Sequence, residues 1–179
     1  MAHAKAPAVP DVGAEAPDFE LPGALGGQLR LALRTVVGPV VVVFLRGPWS
    51  EEDVGYFRRL SAKEDELNLA GATLVGIGAL EPEEARDFAR KTGTRSYVLY
   101  DYTRSTVRDW GLLEQDRERG ERARPAVFIV GTDGRVAHRW LGERPSPEEL
   151  LSRVSGMTGL PEEHEQRRAA RRPATGGEG

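Results

Sequence analysis

The chain reads as one α/β domain, and three observations predict it. Three short apolar runs rich in β-branched residues, at 40–45, 72–79 and 126–130, have the character of strands buried on both faces. Between them lie longer segments whose apolar residues recur near helical spacing. Gly or Pro marks most changes of pattern. At 179 residues the chain is long enough to bury a proper core.

Residues 1–11 are rich in Ala and Pro and lack the apolar centre of a secretory signal, so they read as a flexible N-terminal arm. Gly38 and Pro39 open the first run, Val40 to Val43 followed by Phe44 and Leu45. A helix is predicted from Ser50 to about Leu69, with Val54, Phe57, Leu60 and Leu67 on its apolar side and Gly71 as its stop. The run 72–79 is the second buried strand. Glu81, Pro82, Glu83 and Glu84 start another helix, because proline and acids are favoured in a first turn. Ala85, Phe88 and Ala89 give that helix its buried face, and Gly93 ends it. Residues 97–100 read as a short strand, and 104–110 as a short helix closed by Gly111. The almost wholly charged stretch 114–124 reads as a solvated loop or a frayed helix that could rim a pocket.

Residues 126–130 form a strand, the turn Gly131-Thr132-Asp133-Gly134 suits a hairpin, and 135–141 return. Ser146 caps and Pro147 opens a last helix running to about Met157. The order is β-α-β-α-β-α-β-β-α. A β-α-β half followed by a β-β-α half is thioredoxin-like, here with extra elements inserted. The folded domain is 12–160. The tail 161–179 mixes Glu with Arg167, Arg168, Arg171 and Arg172 and reads as charged and mostly disordered.

Composition excludes whole classes of chemistry. The net charge is −3, so nothing points to a nucleic-acid or membrane surface. No run approaches the roughly 18–20 apolar residues of a membrane span, and a cytoplasmic location is expected. There is no cysteine, which removes disulfides, thiolate metal sites and thiol nucleophiles. With only His3, His138 and His164, a histidine metal site is not expected, nor is any cofactor.

Four segments then resemble one family. Val12-Gly13-Ala14-Glu15-Ala16-Pro17-Asp18-Phe19-Glu20-Leu21 resembles the opening motif V-G-x-x-A-P-x-F-x-L of the redoxins, the peroxiredoxin and thioredoxin-like proteins of alkyl hydroperoxide reductase/thiol-specific antioxidant type. VVVFLRGPWSEEDVGYFRRL, from Val41 to Leu60, resembles the active-site segment V-V-x-F-x-R-G-x-W-C-P-x-C-x-x-x-L-x-x-L. The stretch 71–111 looks like the family's middle. RPAVFIVGTDGR, from Arg124 to Arg135, resembles the late hairpin that carries a cis-proline. The resemblance implies a thioredoxin-like fold with a central mixed sheet flanked by helices. It also implies thiol-dependent reduction of peroxides or disulfides, with a homodimer as the oligomer to expect.

The resemblance stops at the catalytic atoms. Where the motif has W-C-P-x-C, this chain has Trp49-Ser50-Glu51-Glu52-Asp53, so Ser50 and Asp53 stand at both cysteine positions and Glu51 at the proline. Laid on the peroxiredoxin pattern P-x-x-x-T/S-x-x-C instead, Ser50 keeps the hydroxyl, Asp53 replaces the peroxide-attacking cysteine and Arg46 replaces the proline. Peroxide reduction by that route needs a thiolate that becomes a sulfenic acid, and neither hydroxyl nor carboxylate can follow it. Pro125 is expected to be the cis-proline. Arg124 stands one residue from where peroxiredoxins often carry a catalytic arginine.

Each of these residues also has a plain structural reading. Ser50 with an acid three residues on approximates a capping box, and Glu51 and Glu52 favour the positive end of the helix dipole. Trp49 and Val54 could form a hydrophobic staple, and Arg46 could pair with Asp53. His138 reads as a half-exposed strand residue. The reading that results is a redox-inactive pseudoenzyme with a binding or interaction role towards an unnamed protein or small molecule. Its vestigial positions are Trp49, Ser50, Asp53 and Pro125, with Arg46, Glu51, Glu52 and Arg124 as pocket candidates. The alternatives are the family's antioxidant oxidoreductase activity and a non-redox enzyme using its carboxylates.

Overall fold

The computed structural model describes residues 7–160, which form nine strands and six helices. In chain order they are β1 (Glu20–Pro22), β2 (Gln28–Arg30), α1 (Leu31–Arg34), β3 (Val40–Phe44), α2 (Glu51–Ser61), α3 (Glu64–Leu69), β4 (Thr73–Gly78), α4 (Pro82–Thr92), β5 (Tyr97–Tyr100), α5 (Ser105–Asp109), β6 (Leu113–Asp116), β7 (Gly120–Ala123), β8 (Ala126–Val130), β9 (Val136–Leu141) and α6 (Pro147–Thr158). The central sheet has five strands in the order β5-β4-β3-β8-β9. β3 runs parallel to β4 and antiparallel to β8, so the sheet is mixed, as expected.

β3 is the hinge of the architecture. All five of its residues are buried, and their side chains alternate between two cores. Val41 and Val43 face a core built with Phe57, Leu60, Phe88 and Leu150 from α2, α4 and α6. Val40, Val42 and Phe44 face a second core that holds Phe19, Val107, Trp110 and Phe128. There the Phe44 and Trp110 rings lie 5.2 Å apart, and Trp110 lies 4.9 Å from Phe128. A strand covered on both faces explains why this run carries no polar alternation.

Several elements depart from expectation. The helix predicted over 50–69 is two helices, broken at Ala62 and Lys63. The break turns Glu64 inward, where it accepts hydrogen bonds from Thr94, Arg95 and Ser96. The charged stretch 114–124 is neither loop nor frayed helix: it is the β6–β7 hairpin, registered Leu113 to Ala123. Asp116 Oδ1 accepts from the Glu118 and Arg119 N–H groups, and Gly120 takes the left-handed φ of 76° that the turn requires. β1, β2 and α1 have three or four residues each, too few for periodicity to reveal.

Of the expected arm, residues 7–11 lie against the domain. Arg139 Nη1 donates to the Pro10 carbonyl at 3.1 Å. A Cβ on Gly111 would come within 2.6 Å of the Pro7 carbonyl oxygen. Residues 1–6 of the arm and the whole tail 161–179 lie outside the described residues. Among the described residues no helix is long and apolar enough to cross a membrane.

Candidate functional site

The chain leaves β3 at Phe44 and reaches α2 through Leu45-Arg46-Gly47-Pro48-Trp49-Ser50. Leu45 extends the strand by one hydrogen bond, donating to Ile77 O. The Trp49 ring then folds back over Gly47. A Cβ at position 47 would lie 2.2 Å from that ring, so only glycine leaves room for it.

Ser50 is the N-cap of α2: its Oγ accepts from the Asp53 N–H at 3.2 Å. The capping box is only half made, because the Asp53 side chain does not return to Ser50. It turns inward instead and is 2% exposed. Asp53 Oδ2 accepts from the Arg46 main-chain N–H at 2.7 Å. Oδ1 accepts from Arg144 Nη2 at 2.7 Å. These are short, charge-assisted bonds in a site screened little by water.

Arg144 lies between β9 and α6, and its Nη1 is also 3.3 Å from Glu52 Oε2. The next residue, Pro145, accepts a 2.7 Å hydrogen bond from the buried Tyr56 hydroxyl, and burial pushes that phenol's pKa up. The first turns of α2 are thus tied three times to one distant loop.

The expected partner of Asp53 is therefore corrected. Arg46 contributes its backbone N–H, while its guanidinium points outward, 3.8 Å from Glu114 of β6. The cation on Asp53 is Arg144, 91 residues away in sequence, which carried no signal that could have singled it out. Pro125 is corrected too: the described chain contains no cis peptide bond, so Arg124–Pro125 is trans. An X–Pro bond prefers trans by only about 0.5–1 kcal/mol, so local contacts decide. Here the Arg124 N–H donates to Leu112 O, and Pro125 O accepts from Gly142. Pro125 still stands beside this site, because β8 pairs Ala126 with Phe44. Glu51 and Arg124 are exposed. His138 stacks on Trp140, away from the residues around Asp53, and burial pulls its pKa down.

Trp49 faces a different neighbourhood. The guanidiniums of Arg119 and Arg122 lie 4.2 and 4.5 Å from its ring centroid. Arg122 is held firmly, donating to the Ala79 carbonyl and to Glu84 Oε1. The sequence marked this charged segment as a possible rim but gave no reason to choose these two arginines. A cavity of about 420 Å³ opens beside Trp49, lined by Pro48, Glu83, Glu84, Asp87, Lys91 and Arg119. Another, of about 380 Å³, is lined by Arg34, Glu64, Asn68 and Tyr97 and includes none of the residues expected at the site.

Ser50 Oγ accepts the cap hydrogen bond, and Asp53 accepts from two donors and is buried. No histidine lies among the hydrogen-bond partners of either. Among the described residues no group of three His, Asp or Glu side chains is placed to hold a metal ion.

The model of the AhpC/TSA family matches residues 12–139. No curated protein matches the chain by sequence. Solved structures match it closely in fold. Peroxidoxin BcpB from Mycobacterium tuberculosis is 20% identical with a TM-score of 0.72, over 84% of this chain and 97% of that one. The bacterioferritin comigratory protein of Xanthomonas campestris is 17% identical with a TM-score of 0.70, over 82% and 98%. The reduced 2-Cys peroxiredoxin of Plasmodium vivax is 19% identical with a TM-score of 0.70, over 87% and 98%.

Proposed function

We propose, from the premise that this chain belongs to the AhpC/TSA family, that it is a redox-inactive member whose former active-site end binds a partner instead of reducing peroxide. One observation carries the reading. Asp53, at a position where the family's motif has cysteine, is sealed in an ion pair with Arg144 and a hydrogen bond to the Arg46 N–H. A thiolate attacks peroxide by breaking the O–O bond and becoming a sulfenic acid. A carboxylate has no such oxidation to undergo, and the sequence holds no other thiol. The partner is a protein or small molecule, with a second copy of the chain as a further candidate, met in the cytoplasm.

The fold alone would assign antioxidant activity, and alkyl peroxide reduction is indeed the activity named for the Xanthomonas campestris protein. Fold, however, does not fix function. The test is peroxide consumption by the full chain in the presence of a dithiol. We expect no turnover above a heat-treated control, and turnover above it would overturn the reading. A companion variant carrying Ser50→Cys, Glu51→Pro and Asp53→Cys asks whether the scaffold still supports thiol chemistry. The carboxylate-enzyme alternative predicts that Asp53→Asn abolishes an activity found in a substrate screen, whereas our reading predicts only a loss of stability.

A further inference from the structure

We propose that the cavity beside Trp49 binds an arginine side chain presented by a partner protein, and that Arg119 is its internal competitor. The proposal rests on the reading that this end of the domain binds rather than reacts.

Three observations converge on it. First, the Trp49 ring already carries cations, Arg119 at 4.2 Å and Arg122 at 4.5 Å, which places an aromatic face suited to guanidinium at the cavity wall. Second, the two arginines are held very differently. Arg122 is 13% exposed and bonded to Ala79 O and Glu84. Arg119 is exposed on the hairpin turn, and among the described residues no carboxylate lies within ion-pair distance of it. Its backbone is fixed by Asp116 and Arg122, but its side chain is held by the ring alone, so the guanidinium is the removable occupant.

Third, one carboxylate on the cavity wall stands outside the local ion pairs. Glu84 is paired with Arg122, and Asp87 with Arg90 and Lys91. Glu83, on the same wall, is exposed and has no ion-pair partner among the described residues. One aromatic face with one free carboxylate fits one guanidinium.

The competition is what a titration can read. A ligand meets a site open only part of the time, so its apparent affinity falls by the open fraction. The probe is a blocked Gly-Arg-Gly tripeptide, with the citrulline peptide as its neutral isostere, followed by the Trp49 indole N–H signal in NMR. We expect saturable binding to Arg119→Gln, roughly twofold to fivefold tighter than to the unaltered chain. Arg117→Gln, which makes the same charge change on the same exposed turn, should bind as the unaltered chain does. Glu83→Gln should weaken binding without disturbing the fold, and the citrulline peptide should not bind.

Equal tightening by Arg117→Gln and Arg119→Gln would reduce the effect to net charge and overturn the proposal. So would the absence of saturable binding to Arg119→Gln. Either failure leaves the redox reading standing, because peroxide turnover is measured separately.

Discussion

Two buried carboxylates stand at the starts of consecutive helices, and only one of them carries the proposed function. Asp53 opens α2 and is 2% exposed; Glu64 opens α3 and is 5% exposed. Glu64 accepts from the Thr94 and Ser96 hydroxyls at 2.9 and 2.7 Å and from the Arg95 N–H and Nε at 3.2 and 3.3 Å. It latches α3 to the approach to β5. Asp53 latches α2 to the loop before α6 by the same means, a carboxylate satisfied from several sides. The likeness supports a structural role for Asp53, since Glu64 does the same work in a segment with no proposed function.

The difference between them is as informative. The partners of Glu64 are clustered within three consecutive residues, and Arg95 is 73% exposed, so the buried part of the latch is mostly neutral donors. The burial of Asp53 rests on a single guanidinium, that of Arg144, which is 24% exposed. Removing one partner of a buried pair leaves a charge with nothing to compensate it, at a cost of about 3–5 kcal/mol. Arg144→Leu should therefore lower the unfolding free energy in urea by about that amount. Adding Asp53→Asn should return part of the loss, because the charge is gone. A loss of less than about 1 kcal/mol in the single variant would mean that water reaches Asp53. The two latches would then not be alike, and the carboxylate would be available for chemistry.

The Glu64 latch makes its own prediction, through pH. Burial alone would raise its pKa, but hydrogen bonds from Ser96, Arg95 and Thr94 outweigh burial and hold it below the usual glutamate value. A carboxylate lowered on folding stabilises the native state above its unfolded pKa, and that gain is lost as pH falls through the folded value. Glu64→Gln should cost about 1.5–3 kcal/mol near neutrality, the range for hydrogen bonds to a charged group. In urea titrations between neutral pH and the acid limb, the gap between variant and unaltered chain should narrow as pH falls. A gap that stays constant would mean that Glu64 acts by packing alone and would part it from Asp53.

How much of this could be read from sequence follows the same division between near and far. β3, β4, β8 and α4 are legible because their signals are local: valine runs, Pro82 in a first turn, Gly93 at a helix end. Ser50 as a cap is legible for the same reason. The Asp53–Arg144 pair is not, since nothing at Gly142-Glu143-Arg144-Pro145 announces a partner 91 residues back. The β6–β7 hairpin was hidden by composition. Its strands read Leu-Glu-Gln-Asp and Gly-Glu-Arg-Ala, and the only local cues are the turn residues Asp116 and Gly120. The trans Pro125 shows the limit of resemblance, which carried the proline's position across but not its isomer.

The smallest expected effect bears on Ser50. If Ser50 is a cap and nothing more, Ser50→Ala should cost about 0.5–2 kcal/mol and Ser50→Asn almost nothing, because asparagine accepts the same hydrogen bond from the Asp53 N–H. A capping role asks only for a side-chain oxygen within reach of that N–H, whereas contact with a bound partner would ask for a hydroxyl of serine's size. Thermal unfolding of both variants separates the two. A destabilisation shared by alanine and asparagine would show that the Oγ does more than end a helix, and the first turn of α2 would gain a claim to function.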